Sequence, residues 1–149
     1  MNDPATVHRQ DQEGAAARES AAIFDNLQWA LPGGGRKFTT DGNPPEWLVR
    51  LGDRHNKALA ADPRACEHLA DGRPGARVVL AWWPGVLLCP RCVAAMDPLP
   101  DDAPEERTCD GCDTFYPEGL KLIAIQVRPD TTFHAFACDN CMAELGLTA

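Results

Sequence analysis

Apolar residues recur at helical spacing in two stretches of the chain and alternate as strands in two others. The first helical stretch, residues 15–31, is alanine-rich. It sets Ile23, Phe24, Leu27 and Leu31 on one face before Pro32-Gly33-Gly34-Gly35 breaks it. Residues 1–13 are polar, contain Pro4 and show no period, a pattern that predicts disorder. The second helix is better punctuated. Asn43 reads as its cap, Pro44 and Pro45 as its entry, and Asp62-Pro63 as its stop. Trp47, Leu48, Leu51, His55, Ala58 and Leu59 share its apolar face. Residues 32–43 between the two helices read as linker.

Beyond residue 65 the period shortens to two. Residues 77–82 predict a strand, Trp83-Pro84-Gly85-Val86 a turn, and a brief return strand leads to Cys89. Residues 93–96 suit a short helix that Asp97-Pro98 ends. The same order follows again: a strand over 120–127, a turn at Arg128-Pro129-Asp130-Thr131, and a return strand over 132–137. A last short helix is placed to stop at Gly146.

The cysteines punctuate this pattern. All seven belong to close pairs: Cys66 with His68, Cys89 with Cys92, Cys109 with Cys112, and Cys138 with Cys141. Seven thiols leave one over in any full disulfide framework. Residues 1–12 lack the apolar stretch of a secretory signal, so the reading is a reducing, cytoplasmic compartment. No βαβ alternation supports a thioredoxin-like redox centre. Eight ligands in four pairs instead fit two tetrahedral Zn2+ sites, one of three cysteines and a histidine and one of four cysteines. Such sites have no open position, so the expected metal is structural and neither a catalytic residue nor an organic cofactor is assigned.

A knuckle pair, a hairpin and a second pair at a helix start resembles the treble-clef zinc-finger fold group, here in tandem over residues 66–149. The resemblance implies a small α+β, metal-stabilised fold: two treble-clef or zinc-ribbon-like units preceded by two N-terminal helices. The expected divisions are 1–43, a tail with one amphipathic helix and a linker; 44–64, a helix packed on the zinc region; and 65–98 and 99–149, the two zinc units. Cys66-x-His68 is one residue shorter than the usual knuckle, which makes His68 the least secure ligand. Pairing stays open. The sequential form is preferred because residues 93–108, with Pro98, Pro100 and Pro104, offer no hairpin. Sixteen residues separate Cys92 from Cys109, a spacing that also permits a nested four-cysteine ribbon, and a cross-braced form is a third option.

Composition narrows the function classes. No apolar run approaches the roughly 20 residues of a membrane-spanning helix. With 13 prolines and 7% aromatics the chain has little material for a large core, and metal supplies what is missing. The net charge of −8 opposes nucleic-acid phosphates, and only residues 36–91, with nine bases and six acids, are basic. Within that segment Arg50, Arg54 and Lys57 form a helical stripe, and Trp82 or Trp83 offers a ring for base stacking. Ordinary i,i+4 partners, Glu46 and Asp53, partly neutralise the stripe. The leading expectation is therefore a non-enzymatic adaptor or regulatory module that binds a protein partner, with nucleic-acid binding as the alternative. Two enzymatic readings are remote. Glu67 beside Cys89-Pro90-Arg91-Cys92 lacks the order of the zinc-deaminase signature, and His134 lacks the companions of a treble-clef nuclease. The acidic run Asp97, Asp101, Asp102, Glu105 and Glu106 reads as a docking site or, equally, a solvated linker.

Overall fold

The computed structural model describes residues 3–37 and 43–147, the side chains of residues 8, 26–30 and 37 excepted. In chain order its main elements are α1 (Pro4–Ala30), β1 (Gly35–Lys37), α2 (Glu46–Ala61), β2 (Arg64–Ala65), β3 (Arg77–Leu80), β4 (Val86–Leu87), α3 (Pro90–Ala94), β5 (Lys121–Arg128), β6 (Thr131–Ala137) and α4 (Asp139–Glu144). The result is a small mixed α+β fold with four α-helices among the described residues.

The alternating stretch over 121–137 makes its centre. β5 and β6 form an antiparallel hairpin, β1 joins β5 in parallel, and β3 joins β6 in parallel, giving the order β1-β5-β6-β3. Period two then divides the side chains. Ile123, Ile125, Phe133, Ala135 and Val79 meet Trp47, Leu48 and Leu51 of α2 in the main core. Gln126 and His134 belong to the opposite face, under α1, where Gln126 Nε2 donates to Ser20 Oγ at 3.4 Å. The β3–β6 pairing merges the two cysteine-bearing halves of the chain into one sheet. On its other edge β3 bridges Leu88 through Val78, and β4 pairs in parallel with β2.

Three expectations need correction. The helix predicted over 15–31 begins at Pro4, so residues 4–13 are helical where disorder was expected. Its buried line is Ala16, Ser20 and Phe24 at i, i+4 and i+8, of which only Phe24 carries a hydrophobic signal. Of the apolar face read from the sequence, Phe24 is buried and Ile23 and Leu31 are half-buried, while Leu27 lies outside the described side chains. The linker contains β1, held by pairing with Ala124, Ile125 and Gln126, and residues 38–42 of it lie outside the described residues. The N-cap of α2 is Pro45, with no side-chain cap bond, and Asn43 stands outside the helix. The face of α2 is as read: Trp47, Leu48, Leu51 and His55 are buried. Among the described residues no helix is long and apolar enough to cross a membrane.

Candidate metal centres

The eight paired residues converge into two groups, Cys66, His68, Cys89 and Cys92 in one, Cys109, Cys112, Cys138 and Cys141 in the other. The grouping is sequential. Each group draws one pair from a turn before its hairpin and one from the start of the helix after it. Cys89 is the N-cap of α3, with Pro90 filling the first helical position, and Cys138 is the N-cap of α4. The two groups repeat a hydrogen bond: Cys89 N–H donates to Cys66 Sγ, and Cys138 N–H donates to Cys109 Sγ, both at 3.3 Å. The helix after the second group closes as the sequence predicts. Gly146, at φ 76°, sends its N–H to Ala143 O, and Leu147 sends its own to Met142 O.

Distances within the groups match the donor set of a four-coordinate ion. A tetrahedron with metal–sulfur bonds of about 2.3 Å and metal–nitrogen bonds of about 2.0 Å has edges of about 3.8 and 3.5 Å. Cys112 Sγ lies 3.9 Å from Cys138 Sγ, far beyond a disulfide of about 2.0 Å. His68 Nδ1 lies 3.4 Å from Cys89 Sγ and 3.3 Å from Cys92 Sγ, so the short knuckle still delivers a nitrogen to the sulfurs. All ligand atoms within a group are within 4.8 Å of one another. Each group is thus able to hold one metal ion.

The electrostatics point the same way. Burial raises the Cys66 thiol, but the Cys89 N–H, the His68 ring and the Cys89 thiol outweigh it and bring it to about 7. Cys138 also reaches about 7, with burial opposed by the Cys141 N–H and the Tyr116 hydroxyl. Their neighbours move in the opposite direction. Cys92 is pushed up to about 12, chiefly by the hydrogen bond it gives Cys89, and Cys141 is raised by burial and then by the charge of Cys109. Clustered thiols resist ionising together, and a divalent cation is what removes that resistance.

The second group is the more enclosed. Cys109, Cys138 and Cys141 belong to the main core with Ile123 and Trp47, whereas in the first group Cys66 and Cys92 are half-buried and His68 is exposed. Residues that no spacing rule identifies hold the second group in place. Asp110, inside the Cys109–Cys112 turn, takes the Phe136 N–H on Oδ2 at 2.7 Å and gives its own N–H to Phe136 O. Burial raises its carboxyl to about 6, against the pull of that N–H and of Arg54. A sequence reading sees only a turn-forming aspartate there. Tyr116, set against Cys138, carries no signal beyond its aromaticity.

Other residues singled out from the sequence are not among the eight donors. His134 is buried in the sheet, its Nε2 has no hydrogen-bond partner, and burial lowers its pKa to about 4. Glu67 is exposed and sits 3.8 Å from His68 Nε2, on the side away from the sulfurs. Arg50 donates to Gly111 O at 3.2 Å and Arg54 to Ala81 O at 2.7 Å, while Lys57 is exposed. Trp82 packs against Phe136 with ring centroids 4.9 Å apart, and Trp83 is 43% exposed. No protein-family model, no curated protein and no solved structure matches the chain.

Proposed function

We propose that the chain is a non-enzymatic interaction module, an adaptor or regulator, whose two metal groups are structural Zn2+ sites in tandem treble-clef-like units. One observation carries this reading: each group presents four protein donors, and a tetrahedral ion so bound has no position left for water or substrate. The donor chemistry, thiolate with one imidazole, suits zinc.

A protein partner is favoured over nucleic acid by the use made of the basic stripe. Arg50 and Arg54 are committed to carbonyls of the Cys109–Cys112 turn and the first hairpin. Trp82 is committed to Phe136, and the remaining charge is strongly negative. Trp83 and Phe115, 43% and 56% exposed, are large aromatic rings left at the surface and suit a protein interface. Two measurements test the reading. Fluorescence anisotropy with random single- and double-stranded oligonucleotides at low salt is expected to show no binding; salt-dependent binding contradicts the proposal. Affinity capture from the native host is expected to yield a protein that a Trp83→Ala/Phe115→Ala chain fails to retain.

A further inference from the structure

The register of the sheet gathers cationic side chains where the metal groups play no part. Arg77 of β3 lies opposite Thr131 of β6, and Thr131 lies opposite Arg128 of β5, past the irregularity at Gln126. Arg77 stands two residues before core-facing Val79, so this row belongs to the face that α2 covers. There it bounds a cavity of about 300 Å3 between α2 and the sheet, at the small end of ligand-binding cavities, which run from about 300 to 1,000 Å3.

The walls of this cavity differ in character. Leu48, Leu59, Leu87, Val127 and Phe133 supply apolar lining; Arg77, Arg128 and Thr131 at the sheet end and His55 and Asn56 of α2 supply polar groups. Among the described residues no aspartate or glutamate lines it, in a chain with 22 acidic residues. Neither arginine has an ion pair among the described residues. Glu13 and Asp130 border a second hollow that shares the same two arginines, yet neither carboxylate comes within ion-pair distance of them. Arg77 Nε is buried with no acceptor, a costly state for a guanidinium N–H. His55 Nδ1 accepts the Gly85 N–H at 3.0 Å, so the neutral ring carries its proton on Nε2 as one more donor. Burial, then Arg128, keeps that ring neutral. Donors without acceptors beside an apolar wall describe the complement of an amphipathic anion.

We propose that this cavity binds a small organic anion, its apolar body lying under α2 and its carboxylate or phosphate head between Arg77 and Arg128. The proposal goes beyond the interaction role and does not rest on it, since it gives the module a small-molecule input at a site separate from both metal groups.

The test titrates the metal-loaded full chain with benzoate, phenyl phosphate and neutral benzamide in phosphate-free buffer, followed by amide chemical shifts. At least one anion is expected to saturate, with shifts centred on α2 and residues 127–133, and benzamide to bind about tenfold more weakly or worse. The tighter of the two anions identifies the head group. Arg128→Gln is expected to weaken binding by about tenfold or more. Gly52→Met supplies a variant that keeps both arginines: Gly52 lines the cavity, and a Cβ there meets nothing within 4 Å, so the new side chain fills the space and abolishes binding. The proposal is overturned if neither anion saturates by about 10 mM, if benzamide binds as well as benzoate, or if Gly52→Met binds normally.

Discussion

Two glycines show what a missing side chain does in this chain. A Cβ on Gly111 lies 2.7 Å from Cys141 Sγ and 3.0 Å from the Trp47 ring, so the Cys109–Cys112 turn approaches its partner pair only because that position is bare. With the sulfur fixed on a metal, Gly111→Ala is expected to destabilise the fold by about 1–3 kcal/mol. Gly52, inside α2 with open space around it, responds oppositely: Gly52→Ala is expected to stabilise by about 0.5–1 kcal/mol. Chemical denaturation of both variants checks the pair, and equal effects contradict the packing assigned to Gly111. His134 makes a separate prediction. Burial holds its folded pKa near 4 against 6.5 for the free side chain, so the unfolded chain binds the extra proton. The resulting stability is complete above pH 6.5, falls as the pH drops, and levels off below about 4. Relative to His134→Leu, the native chain is expected to lose about 1.5 kcal/mol between pH 6.5 and 5. Because both proteins carry the same thiols, their difference isolates the imidazole; parallel pH curves contradict the assignment.

The β5–β6 hairpin and the last short helix are legible in the sequence, because period two and Gly146 act locally, whereas α3 starts at Pro90, three residues before the 93–96 read from the sequence, and ends at Ala94. Less local features are not. The β3–β6 pairing joins strands 54 residues apart in register, Arg77 against Thr131, and nothing in either strand names the other. β1 is three residues long, too short to show any period, and α1 packs through Ala16, Ser20 and Phe24, a line with one strongly apolar member. The eight candidate donors were paired from spacing, His68 least securely because its knuckle is one residue short, and their grouping needed the hairpins in place. Asp110, Arg50 and Arg54 were not readable as supports, since each contacts a backbone group far along the chain. The unequal burial of the two groups gives a prediction for these elements. Cys92→Ser is expected to lose one metal equivalent while β5 and β6 keep slow amide exchange. Cys141→Ser is expected to lose the whole sheet, because Cys109 and Cys141 share the core with Ile123. Metal analysis with hydrogen exchange checks both, and equal collapse of the two variants contradicts the division.

At the scale of the molecule, a chain of 149 residues with 7% aromatics builds a main core on one face of a four-stranded sheet and a smaller cluster of Val78, Leu80, Val86 and Leu88 beside the first metal group. Structural zinc contributes on the order of 10 kcal/mol per ion in small peptides, comparable with the whole stability of an ordinary domain. On the proposed reading metal decides whether this chain folds, and the proposed partner surface and anion site both depend on that outcome. The most direct test is a chelator titration of the purified chain that follows bound zinc and circular dichroism together. The account predicts two zinc equivalents per chain at the start and a cooperative loss of structure as they leave. Far fewer than two equivalents, with the sheet surviving strong chelation, would contradict it.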